Sequence, residues 1–189
     1  MRILGSIQIA TMLLYAAACY ALPPSNAESD AFINAYSFDV LKALVDENLA
    51  FKVESRQLTK AQADCARMKI NLNDLLPRAR PIVSATFKDS EAVNQVTAFF
   101  SSPTGTKLKD FGIVTLRSFL RAKLHGQQPP ASPSLPTSFT EQDVRVMADF
   151  NNSPAGQQFG RFVNEGLPRL RRIDQLEPAL VSCGAKGFK

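Results

Sequence analysis

The sequence has no tryptophan, a single histidine and three cysteines among its 189 residues, and each scarcity narrows the chemistry on offer. A serine-histidine-acid triad has only His125 to draw on. That residue stands beside Gly126 at an expected helix end, where an imidazole acts as a cap favoured by the helix dipole. No Cys-x-x-Cys pair accompanies it, so the spacing of a zinc site is missing. Without tryptophan, and with Tyr15, Tyr20 and Tyr36 as the tyrosines, the chain is short of the aromatic platforms typical of sugar sites. It carries no cofactor fingerprint, and no gripping lysine follows a glycine-rich loop as in a phosphate-binding loop. Carboxylate pairs exist at Asp46-Glu47 and Asp89/Glu91, but they fall at helix ends, where acids are ordinary surface groups. The expectation is no cofactor, no metal and no catalytic residue.

What the chain does have begins with an apolar leader. Met1-Arg2 precedes a mostly apolar run from Ile3 to Leu22, which reads as a secretory signal. Ser25 and Ala27 put small residues at −3 and −1, so cleavage is expected after Ala27, leaving one helical domain over 28–189. Two other routes stay open: an uncleaved anchor, and lipidation at Cys19 behind Ala16-Ala17-Ala18. Membrane association is expected only on those routes. With Cys19 removed or acylated, Cys65 and Cys183 are the pair left for an oxidising compartment, where a disulfide is expected and two buried free thiols are the alternative. The address is periplasmic or secreted. Losing Arg2 leaves 21 of the 22 basic residues against 17 acidic ones. That mild excess suits a protein or anionic envelope partner, whereas nucleic acid is a poor candidate for an exported chain.

The most informative pattern is an internal repeat. Residues 98–111 align without a gap on 149–162, pairing Phe99 with Phe150, Ser102 with Ser153, Pro103 with Pro154, Gly105 with Gly156 and Phe111 with Phe162. Ser102 and Ser153 read as N-caps, with proline at the first helical position, where its missing N–H costs nothing. The preceding helix must stop there, since the residue before a proline is pushed out of helical geometry. Gly105 and Gly156 in the first turn would allow a close helix approach, or an anion at the helix N-terminus. Each unit is helix, tight corner, helix, over about 89–125 and 139–167, with a Pro/Ser-rich linker at 126–138. All four repeat phenylalanines are expected in the core.

Elsewhere Ser29 is expected to cap a helix from Asp30 to Leu49, Thr59 to start one carrying Cys65, and Asn73 to cap a third that Pro77 and Pro81 bend or interrupt. Thr140 with Asp143 resembles a capping box. Gly166-Leu167-Pro168 is expected to break the helix after Pro154, and Pro178 to strain the last one, over 169–183. The fold class is all-α: a compact helical bundle with a duplicated helix–corner–helix unit. The helix after Pro103 is apolar over most of its circumference, which predicts a central position. Its remaining arc carries Lys107, Asp110, Arg117 and Arg121. Lys107, Arg117 and Arg121, with Arg169 and Arg172 in a second cluster beside Arg171, are the candidate anionic-partner surface, to be weighed against ordinary solvated helix faces.

Phe139-Thr140-Glu141 through Phe150-Asn151-Asn152-Ser153-Pro154-Ala155-Gly156-Gln157-Gln158-Phe159 resembles the signature of an exported bacterial family of unknown function (domain of unknown function 2059). The resemblance covers the C-terminal third and implies a periplasmic helical domain without established catalytic residues. The functional expectation is an exported, non-catalytic binding or accessory protein of the cell envelope. An immunity or inhibitor protein against a toxin or hydrolase, and a carboxylate-dependent envelope enzyme, are the alternatives.

Overall fold

The computed structural model describes residues 22–128, 130, 134–170 and 176–185, so the leader before Leu22 and Arg172 lie outside the described residues. Ser25 and Glu28 form a reciprocal capping box: Glu28 N donates to Ser25 Oγ (3.2 Å) and Ser25 N to Glu28 Oε2 (2.8 Å). Helix α1 (Asn26–Phe32) therefore starts earlier than Ser29 suggested, and Ser29 is a wholly buried residue inside it. The chain runs through a π-helical turn (Ile33–Ser37) into α2 (Phe38–Glu54).

Thr59 and Gln62 make a second capping box at the head of α3 (Lys60–Lys69). A 3-10 turn (Leu72–Leu75) follows, and its cap is Asn71, which accepts from Asn73 N, rather than Asn73 itself. It leads into α4 (Leu76–Thr86), which runs unbroken through Pro77 and Pro81. Pro77 sits in the first turn, where no donor is needed. Pro81 lacks an interior hydrogen bond, and α4 is held nonetheless by fully buried Ala79 and Val83.

The first corner joins α5 (Ser90–Ser101) to α6 (Pro103–Leu124), and the second joins α7 (Glu141–Asn152) to α8 (Pro154–Arg161). Thr140 and Asp143 form the capping box at the head of α7. After α8 the helix does not break at Gly166-Leu167-Pro168. It widens into a π-turn (Phe162–Gly166) and continues as α9 (Leu167–Leu170). Pro178 lies within α10 (Leu176–Ser182), and residues 171–175 of the helix expected over 169–183 lie outside the described residues.

The two corners share one geometry. Ser102 Oγ donates to Phe99 O (2.7 Å) and accepts from Gly105 N (3.1 Å); Ser153 Oγ does the same between Phe150 O (2.6 Å) and Gly156 N (3.0 Å). A single hydroxyl thus closes one helix and opens the next. A Cβ on Gly105 would lie 1.9 Å from Phe99 O, and one on Gly156 2.0 Å from Phe150 O. These glycines are required because the new helix crosses the backbone end of the old one, and Gly105 N and Gly156 N are already satisfied by the serines. Gly105→Ala or Gly156→Ala should therefore destabilise by about 2–3 kcal/mol through forced overpacking, against the gain a glycine-to-alanine change gives in an open helix interior. Thermal melts read the sign directly.

Equivalent residues of the two units also meet each other. The Phe99 and Phe150 rings stack with centroids 3.9 Å apart and planes 3° from parallel. Helix α5 packs on α8, and α6 on α7. Lys107 Nζ reaches Asp143 in the first turn of α7 (2.8 Å), while its repeat equivalent Gln158 accepts from Lys88 N, just ahead of α5 (2.7 Å). The contacts are reciprocal, each second helix fastening the start of the other unit's first helix.

The main core lies under α1, α2, α4, α5 and the α8–α9 segment. Phe32, Phe87 and Phe162 are packed edge to face or tilted within it. The long helix α6 is not central. Only one stripe of it, including Leu108, Ile113, Leu116 and Leu120, leans on the core, while Val114 and Phe119 are exposed and Phe111 is half-buried against Phe139. A smaller second core joins Val45 and Leu49 of α2, Ala63 and Ala66 of α3, and Ala179 and Leu180 of α10. There Cys65 and Cys183 form a disulfide, with Cα atoms 5.9 Å apart.

Candidate functional site

Three of the cations expected on an outward strip of α6 are engaged within the chain. Lys107 pairs with Asp143, a buried acid that also accepts from Thr104 Oγ1 (2.6 Å) and Thr140 N (3.0 Å). Arg121 Nε lies 2.8 Å from Glu47 Oε2, and Arg117 Nε 3.7 Å from Oε1 of the same carboxylate, which is buried on α2. These side chains keep part of their surface in water, but their charges are spent on fastening α6 to α7 and α2. Asp30 and Asp46 are committed in the same way. Arg80 grips Asp30 through two hydrogen bonds (2.8 and 2.7 Å), and Arg67 lies 2.7 Å from Asp46. His125, at the end of α6, sits 3.2 Å from Glu54 and edge-on to Phe51.

Three carboxyl groups, those of Glu28, Asp30 and Asp143, are shifted below their ordinary ranges. Glu28 is pulled down to about 2 by hydrogen bonds from Ser25, Asn94 and Ser90. Asp30 lies below its ordinary range because of the Arg80 hydrogen bonds, and Asp143 well below it because of Lys107, Thr104 and Thr140. A carboxylate whose folded pKa is depressed contributes stability above its unfolded value and loses it as pH falls through the folded one. The melting temperature should accordingly hold level down to the unfolded carboxylate range near 4 and fall steeply between there and about pH 2. Asp143→Asn should flatten that fall. A pH series of thermal melts tests both.

A different set of cations has no ion pair among the described residues. Gln158 Oε1 holds the backbone of Lys88 against the start of α8, next to Pro154, Gln157 and Arg161, around an open depression of about 530 Å³. Arg161 also lines a neighbouring depression of about 230 Å³ with Thr86, Glu165 and Arg169. The π-turn sets the spacing of that second wall. Gly166 within it faces α4 closely, since a Cβ there would lie 3.1 Å from Ile82 Cγ2. Lys88, Arg161 and Arg169 are all exposed, so the two depressions, which share Arg161, together present three cations and one acid, Glu165, to solvent. Of the sequence candidates, Arg169 belongs to this cleft and Arg172 lies outside the described residues. Lys88 and Arg161 join it there and stand outside the candidate set read from the sequence. Arg161, Glu165 and Arg169 follow at intervals of four and were legible as one helical face, whereas Lys88 arrives from 70 residues away.

An apolar cavity of about 280 Å³ lies elsewhere, between α6 and the two π-turns, walled by residues including Tyr36, Phe100, Phe159 and Ile113. Its charged lining group, Lys109, is tied to Asp39 (2.6 Å) and Ala35 O (2.9 Å). The paired Lys109 leaves this cavity without a charge of its own to recognise a ligand. Comparison with family models, with curated proteins and with solved structures finds no match for the chain.

Proposed function

We propose that this chain is a non-catalytic binding or accessory protein of the bacterial cell envelope that engages an anionic partner through the cleft between α8 and the end of α4. The observation that carries the reading is the contrast between two sets of cations. Lys107, Arg117 and Arg121 of α6 are engaged by Asp143 and Glu47, and Lys88, Arg161 and Arg169 face solvent around two neighbouring depressions that share Arg161. Convergent unpaired cations raise the local concentration of anions and steer their approach. The disulfide suits an oxidising compartment outside the cytoplasm, and no helix among the described residues is long and apolar enough to cross a membrane. The resemblance of the C-terminal third to an exported family supports the same address.

The test is retention of material from a bacterial envelope extract on the immobilised chain, followed by a salt gradient. The reading expects bound material that elutes as ionic strength rises, because exposed charge contacts are screened within a Debye length of about 8–10 Å near physiological salt. Retention unaffected by salt would point to apolar contacts instead.

A further inference from the structure

We infer that the leader is cut between Ala21 and Leu22, not after Ala27, so that the mature chain opens on Leu22-Pro23-Pro24. The residues between the two bonds belong to the folded domain. Leu22 O accepts from Ser90 N (3.0 Å), and Pro24 is buried. Ser25 caps α1 through its box with Glu28, and the carboxylate of Glu28 is held in turn by Ser90 Oγ and Asn94 Nδ2, each at 2.9 Å. Residues 22–28 thus fasten the start of α1 to the start of α5.

A signal segment is removed during export, before it can pack, and carries no tertiary role. Six residues with this many native contacts do not fit that description. A cut after Ala27 would discard the Ser25 cap and the first helical residues, Asn26 and Ala27. It would also place a new ammonium at the positive end of α1, against the helix dipole. The sequence offers the earlier bond on the same small-residue rule: Cys19 stands at −3 and Ala21 at −1. Signal peptidase would add water across that bond, giving a carboxylate on Ala21 and a free amine on Leu22. Cys19 departs with the leader, leaving the Cys65–Cys183 disulfide without a third thiol.

The experiment is expression of the full chain with its own leader, recovery of the exported protein, and reading of its first residues by N-terminal sequencing with intact mass. Leu22 as first residue is the expected result. A start at Glu28, an acylated Cys19 or a retained leader would each overturn the inference. A second measurement does not depend on the export machinery: chains beginning at Leu22 and at Glu28 are produced directly and melted side by side. The Glu28 chain should melt lower by roughly 2–4 °C or more, the effect of losing one cap in a domain of this size. Equal melting temperatures would remove the reason for the earlier cut.

Discussion

Replacing Phe162 with alanine should cost about 3–5 kcal/mol, while the same change at its repeat equivalent, Phe111, should cost about 1 kcal/mol. The two residues occupy the same register of the duplicated unit, and sequence alone gives them one role. Their surroundings differ. Phe162 is fully buried, with its ring 4.8 Å from Phe32 and 6.0 Å from Phe87, so truncation leaves a void ringed by aromatic side chains that cannot close up. Phe111 is half-buried, and its aromatic contact is with Phe139, 6.1 Å away, beside the linker, where water can take the place of the ring. Differential scanning calorimetry should show a drop of roughly 6–20 °C for Phe162→Ala and of a few degrees for Phe111→Ala. Equal losses would mean that α6 is as deeply packed as α8.

Removing the disulfide is the second large change. Cys65 and Cys183 are separated by 118 residues, and closing a loop of that length restricts the unfolded chain by about 5 kcal/mol at most in the chain-entropy model. The loss should be regionally uneven. Helix α10 packs on α3 over the small second core, away from the aromatic cluster, and Gln62 Nε2 to Gly184 O (2.9 Å) and Lys69 Nζ to Ser182 Oγ (3.0 Å) join the same two segments. In Cys65→Ala/Cys183→Ala, amide exchange should accelerate first in α10 and α3, with Phe32, Phe87 and Phe162 still packed. Uniform acceleration along the chain would show that the two cores unfold as one.

What was legible in the sequence was local or repeated. Thr59, Ser102, Thr140 and Ser153 announce themselves as caps because the partner lies three residues on, and the 51-residue offset placed Phe99 and Phe150 in matching positions. The stacking of those two rings needed the structure. The Ser25-x-x-Glu28 box is legible in the sequence, but it lies within the stretch that also reads as a leader, so only the packed structure shows that Ser25 caps α1. Helix α6 was misplaced because apolar residues surround most of it, and periodicity cannot say which of several apolar faces will be covered. Glu47 and Arg121 lie 74 residues apart, so no spacing rule connects them. That contact decides which cations are structural. The free cleft was only half legible, through Arg169, because Lys88 comes from a distant element.

The central claim is a division of labour among cations, and one comparison of two variants tests it most directly. Arg161→Gln/Arg169→Gln removes charge from the cleft, and Lys107→Gln/Arg121→Gln removes it from the internal pairs. Salt-sensitive retention of envelope material and melting temperature are measured on both. The account predicts that the cleft variant loses retention and keeps its melting temperature, while the α6 variant melts lower and retains the partner. The opposite pattern, with retention lost at Lys107 and Arg121 and intact at Arg161 and Arg169, would contradict it.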